Sequence, residues 1–197
     1  KNAYQNQDVK LLWELNRLND LDPLIATALL EDKENYLETA LEIVAQWDRE
    51  NPPGKGINWF SNMEVALRLL RFLFLRAVVS SYGLDYGFID RLITEHAAHV
   101  QADWRASRRT MKGGNHLLVE LSALAAYESL TGIKGPGGLE LQKEMQRQFH
   151  ADGGHFEGSL GYHLFVVNVL LFVHFLCVLI EKQSPVTLDI LGKALEF

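Results

Sequence analysis

Two short stretches of this chain concentrate side chains that can move protons and hold anions. The first is Asp152-Gly-Gly-His-Phe-Glu-Gly-Ser-Leu-Gly-Tyr-His163, where Asp152, His155, Glu157, Ser159, Tyr162 and His163 alternate with four glycines. Ordering so glycine-rich a loop costs conformational entropy, and titratable groups clustered along it point to a site. The competing reading is a solvated surface turn. The second stretch, Trp104-Arg-Ala-Ser-Arg-Arg-Thr-Met-Lys-Gly-Gly-Asn-His116, again ends in Gly-Gly and a polar pair ahead of an apolar run. Tyrosine and histidine serve as proton donor or base when their pKa suits the task, and donors aimed at developing charge stabilise it. Both stretches deliver such groups to the first turn of a hydrophobic helix. Two helix N-termini facing one cleft would add a positive field and converging N–H donors.

Other residues are read against this pair. Arg105, Arg108, Arg109 and Lys112 form a basic run with no acid between Asp103 and Glu120, in a chain of net charge −6. Alone it reads as a solvated basic loop; beside Asn115 and His116 it reads as an electropositive rim for an anionic ligand. His116 and Glu120 share a helix face, so Glu120 could orient the imidazole. Ser61 and Glu64 match a capping box, with Glu64–Arg68 as a pair one turn apart, and this outweighs a substrate role for Glu64. His96 and His99 lie one turn apart without a third ligand, which favours surface or capping histidines over a metal pair. His150, His155, His163 and Glu157 match none of the strong zinc spacings, so neither metal nor cofactor is expected.

The elements that position these residues are helices. Apolar residues recur at helical spacing over 9–19, 24–30, 35–49, 61–80, 86–103, 115–129, 139–150 and 161–182, and Ser184-Pro185 opens a last helix to Phe197. No convincing strand is present. Greasy helices alternate with amphipathic ones, which fits concentric rings with the buried helices inside. The run 164–180 is almost long enough to span a membrane, but Asn168 and His174 interrupt it, so a core helix wrapped on all sides is expected. Hydrophobic residues make up 48% and charged residues 22% of the 197, ordinary for a soluble globular protein. The acidic balance argues against generic nucleic-acid binding. The single Cys177 excludes an intrachain disulfide and reads as a buried thiol. Lys1 is not an initiator methionine and no signal peptide is visible, so a processed or excised piece is expected.

Four segments in this order resemble the heparinase II/III-like polysaccharide lyases and related alginate lyases: Trp13-Glu-Leu-Asn-Arg17, Gly56-Ile-Asn-Trp-Phe-Ser-Asn-Met-Glu-Val-Ala-Leu-Arg68, Asn115-His-Leu-Leu118 and Asp152–His163. The resemblance implies an all-α fold, an incomplete α/α toroid of helical hairpins. Residues 1–197 would form one helical domain, part of a larger enzyme whose C-terminal β-sandwich packs on the toroid. It implies cleavage of a uronic-acid-containing acidic polysaccharide by β-elimination, in the periplasm or outside the cell. Asn115 would hold the substrate carboxylate. His116 would neutralise it or act as base, and Tyr162 would donate the proton and could also be the base. Trp59, Asn62, Glu64, Arg108, Arg109, Lys112, His155, Glu157 and His163 are the candidate substrate-binding or supporting residues. The resemblance also implies a further histidine from beyond this stretch of chain. Neither nucleic acid nor membrane is an expected partner.

Two other classes compete. A glycoside hydrolase on a similar toroid would use two carboxylates, such as Asp152 and Glu157, although hydrolase carboxylates more often come from separate elements. A non-catalytic domain would keep the cleft and bind anionic glycans without turnover.

Overall fold

The computed structural model describes residues 8–110 and 113–197. Among the described residues the chain forms nine α-helices, and no strand: α1 Val9–Leu15, α2 Leu21–Glu31, α3 Asn35–Glu50, α4 Asn62–Tyr82, α5 Gly87–Thr110, α6 Asn115–Thr131, α7 Gly137–Gln148, α8 Leu160–Leu179 and α9 Leu188–Glu196. A single 3-10 turn, Ile57–Trp59, precedes α4.

The helices form an incomplete α/α toroid of successive hairpins. α4 packs on α5 and α6, α6 on α7 and α8, α8 on α9, and α2 on α3 and α4. The sequence dictates which members lie inside. α4 buries nearly every residue from Asn62 to Leu75, and α6 buries all but His116 from Asn115 to Ala126. A helix apolar around its whole circumference is stable only when surrounded. Each fully buried Leu, Val or Phe there contributes roughly 1.5–3 kcal/mol. α3, α5 and α7 are amphipathic and cover the outside with one face each. Gly83 and Gly132 end α4 and α6 in the left-handed conformation, with φ of 72° and 73°.

Several expectations change. α5 runs through Arg105, Arg108 and Arg109, so these residues lie on a helix rather than a loop. α1 stops at Leu15, with Leu18 in a left-handed turn at φ 58°. The last helix begins after Thr187, not at Ser184-Pro185. α8 is not wrapped on all sides: only 44% of its most apolar window is buried, and Leu164, Phe175 and Val178 are exposed. By length and composition it is the one described helix that could cross a membrane. Cys177 is buried on the covered face.

The histidine pair on α5 is also not a surface feature. His96 is fully buried against the rings of Trp47, Trp59 and Phe72. Its Nδ1 lies 2.8 Å from the Leu92 carbonyl and so carries the proton, leaving Nε2 as acceptor toward Arg68. Burial holds its pKa well below the usual histidine range, and the Arg68 charge adds to that. His99 packs edge-on to Trp59.

Candidate active site

The inner helices begin at the same end of the layer, and their first turns meet around one cavity of about 370 Å³. α4 supplies Met63 and Glu64, and α6 supplies Asn115 and His116. The start of α8 supplies Ser159, Gly161, Tyr162 and Phe165, and α1 with the turn after it closes the side with Lys10, Trp13, Glu14 and Arg17. Ser159 stands in extended conformation as the cap of α8, its hydroxyl accepting from the Tyr162 N–H at 3.4 Å. The Trp13 indole donates to the Ile57 carbonyl at 3.0 Å, which anchors α1 to the turn ahead of α4.

Two carboxylates hold this end together. Glu64 is almost wholly buried and receives two parallel bonds from the Arg17 guanidinium, each 2.7 Å. That contact raises the Arg17 pKa, against the opposing effect of burial. Ser61 does cap α4 in position, but its side chain makes no capping bond. The expected capping box and Glu64–Arg68 pair are therefore replaced by Arg17–Glu64 across 47 residues. Glu157 accepts from the main-chain N–H of Asn115 at 2.7 Å and from its Nδ2 at 2.8 Å. It neutralises the positive end of α6, where free N–H groups concentrate.

His116 is half-buried at the cavity wall. Burial lowers its pKa, against the charges of Glu64 and Glu157, so near neutral pH it is an uncharged imidazole able to accept a proton. Tyr162 is 50% exposed at the rim. Lys10 and Arg17 are balanced by Glu14 and Glu64, so an anion entering here would be held by N–H donors rather than by net positive charge.

The structure thus brings together Asn115, His116, Tyr162, Glu64 and Glu157. The other sequence candidates have different surroundings. Trp59 is buried, its indole donating to the Asn51 carbonyl at 3.1 Å. His155 is buried and bonded to Gln148 at 3.0 Å, and Gln148 in turn donates to the Gly113 carbonyl. His163 is buried against Phe149 and Phe197, with Nε2 2.9 Å from the Ala194 carbonyl. Arg108 ties α5 to α7 through Glu140 at 2.6 Å and Glu144 at 3.1 Å. Arg109 is exposed and does not line the cavity. Lys112 lies outside the described residues. Asn62 is buried beside Glu120 and does not line the cavity. Glu120 does not orient His116: it accepts from Ser107 at 2.8 Å. Burial pushes its carboxyl up to about 7, with Ser107 and the neighbouring Asn62 amide pulling the other way. Among the described residues no cluster of three or more histidine, cysteine or acidic side chains could hold a metal ion.

Sequence reasoning missed Lys10, Trp13, Glu14, Arg17 and Phe165 as cavity residues. The only signal was the Trp13–Arg17 segment, quoted for its pattern; nothing in a short N-terminal helix says which cavity it closes.

Comparison with known proteins completes the picture. Residues 2–184 match the family described as heparinase II/III N-terminus. The chain belongs to that family. A heparin-sulfate lyase of Bacteroides thetaiotaomicron is 28% identical over 145 residues, covering 68% of this chain and 20% of that protein. A crystal structure of heparinase III superposes with a TM-score of 0.66 at 22% identity, covering 98% of this chain and 32% of that one. The heparan sulfate lyase HepC from Pedobacter heparinus gives a TM-score of 0.63 at 17% identity, with 98% and 32% covered. The chain therefore spans about a fifth of its curated relative and a third of these solved chains, and the structural likeness speaks for the toroid fold.

Proposed function

We propose that this toroid forms the catalytic side of a polysaccharide lyase that cleaves a uronic-acid-containing acidic polysaccharide by β-elimination. The observation that carries the reading is the meeting of a neutral, half-buried His116, a half-exposed Tyr162 and the Asn115 amide at one cavity of about 370 Å³. A β-elimination needs these three capacities. A base takes the proton beside the sugar carboxylate, and that electron pair forms the carbon–carbon double bond as the glycosidic C–O bond breaks. An acid protonates the departing oxygen. Donors hold the carboxylate while negative charge builds on it.

In this scheme Asn115 donates to the carboxylate, and His116 and Tyr162 share the base and acid roles according to the sugar's stereochemistry. Heparan sulfate heads the substrate candidates because the solved relative from Pedobacter heparinus is named a heparan sulfate lyase and the Bacteroides relative a heparin-sulfate lyase. A polymer of that size points to a periplasmic or secreted enzyme. The short match to longer relatives points to a further domain, for which a β-sandwich packed on the toroid is the proposal. A two-carboxylate hydrolase is less well supported. Asp152 is exposed and accepts from the Gly154 N–H at 3.0 Å, and Glu157 is engaged with Asn115.

The test is ultraviolet absorbance on mixing the full-length protein with a panel of uronate polysaccharides. Elimination leaves a conjugated, absorbing product, whereas hydrolysis does not. A rising signal that vanishes in Tyr162→Phe supports the lyase. Release of reducing ends without absorbance would replace it with a hydrolase. Binding without any product would leave a glycan-binding domain.

A further inference from the structure

The loop before α8 does more than bring Tyr162 to the cavity. Gly153 and Gly158 take φ of +91° and +66°, and the turns they permit carry Glu157 back toward the start of α6. At Gly153 the close approach is strict: a Cβ there would stand 2.2 Å from the Lys193 carbonyl of α9. With the loop so held, Glu157 meets Asn115 with both oxygens, at 2.7 Å to the main-chain nitrogen and 2.8 Å to Nδ2.

We infer that Glu157 is a positioning residue whose two-point contact fixes which edge of the Asn115 amide faces the cavity, and thereby sets the site to accept a carboxylate-bearing sugar. The inference rests on the lyase reading for its substrate, but not for the contact itself. An ionised carboxylate only accepts hydrogen bonds. Glu157 therefore forces Nδ2, not Oδ1, to its own side, and Nδ2 keeps a second proton for a ligand. If the amide turned over, Oδ1 would replace that donor and repel an incoming carboxylate. The same contact ties the start of α6 to the loop five residues ahead of Tyr162, so one side chain sets both halves of the site.

Glutamine in place of Glu157 makes a definite test, because it has one acceptor oxygen instead of two. The main-chain N–H of Asn115 cannot turn, so it takes that oxygen. The glutamine NH2 then faces the Asn115 side chain, which must rotate to offer Oδ1. Glu157→Gln thus keeps both contacts and the fold, but reverses the amide. The first readout needs no turnover: the Asn115 side-chain NH2 resonance, followed by NMR in wild type and Glu157→Gln. It is expected to move in the variant, and in wild type one of its two protons, the one held by Glu157, is expected to exchange with solvent more slowly than the other. The second readout is affinity for a heparan sulfate tetrasaccharide and for its carboxyl methyl ester. The variant is expected to lose about tenfold or more for the free acid, the scale of a charge-assisted hydrogen bond, and much less for the ester.

An unmoved resonance in the variant together with equal exchange of the two protons in wild type overturns the positioning role, and the exchange measurement decides this even if the variant fails to fold. A moved resonance with equal losses for acid and ester overturns the selectivity for carboxylate. Wild type that binds neither sugar while its two amide protons exchange unequally counts against the proposed function and leaves the contact supported.

Discussion

α4 carries two buried charged residues one turn apart, and the chain treats them in opposite ways. Glu64 faces the cavity, where Arg17 meets it with both prongs. Arg68 faces α5 and the 3-10 turn and is fully buried, and no carboxylate among the described residues is in contact with it. Its guanidinium donates to the Asn58 carbonyl and lies over the Trp47 ring at 4.9 Å. Burial pulls its pKa to about 10, against the pull of Glu64. Both residues fall in one family-like segment and both are buried, so neither residue type nor burial separates site from scaffold. What separates them is which side of the helix opens onto space a ligand can enter. Substitution of the cavity side chains that hold nothing together, Tyr162 above all, should cost turnover without stability, and substitutions in the tryptophan–histidine cluster the reverse.

Tyr162→Phe gives the sharpest break. Removing one hydroxyl from a half-exposed ring should lower turnover by about 10²–10⁴-fold, the usual contribution of a positioned proton donor, while thermal unfolding stays unchanged. A melting temperature that fell with activity would put Tyr162 in the scaffold. Arg68→Ala is the mirror image. It leaves the Asn58 carbonyl without its donor and opens a void between tryptophans, so denaturant unfolding should show a loss of about 3 kcal/mol. Activity per folded molecule should be retained. A stable, inactive Arg68→Ala would move that residue into the site.

Glu120 sharpens the comparison through pH. Its folded carboxyl titrates near 7, against 4.5 for an ordinary glutamate, because burial disfavours the charge. The folded state binds the proton more tightly, so the contribution of Glu120 is full below 4.5 and is lost as pH rises through 7. Glu120→Gln should therefore gain relative to wild type over that window, on the order of 3 kcal/mol, in unfolding measured at several pH values. Comparing the two proteins cancels His96 and His116, whose lowered pKa values tilt the profile the other way. A difference independent of pH would mean that the carboxylate is already charged in the fold. The smallest effect is expected at Arg109, exposed and away from the cavity. Arg109→Ala should change stability by under about 0.5 kcal/mol and turnover less than twofold. A large loss of substrate affinity would restore the basic rim as part of the binding surface.

The all-helical architecture could be read from the chain alone. α4 and α6 are too apolar to lie on a surface, and α3 and α7 show one apolar face each; helical spacing is a local property that sequence carries directly. The same reasoning failed for α8, as apolar as either, which leaves Leu164, Phe175 and Val178 exposed. The pairing of the Asn115-His116 and Asp152–His163 stretches at adjoining helix starts was legible from helical spacing too, since each places its polar groups at the first turn of a greasy helix. Partner choice was not legible. Glu64 reaches Arg17 instead of Ser61 or Arg68, Glu157 reaches Asn115, and Glu120 reaches Ser107, each across a separation that no periodicity encodes. Nor could sequence tell that His155 and His163 turn into the scaffold while Tyr162, one residue from His163, stands at the rim. Helical periodicity follows from the backbone and belongs to the sequence. Which face of each helix meets a neighbour, and which meets an open cavity, is decided only when the helices pack against one another.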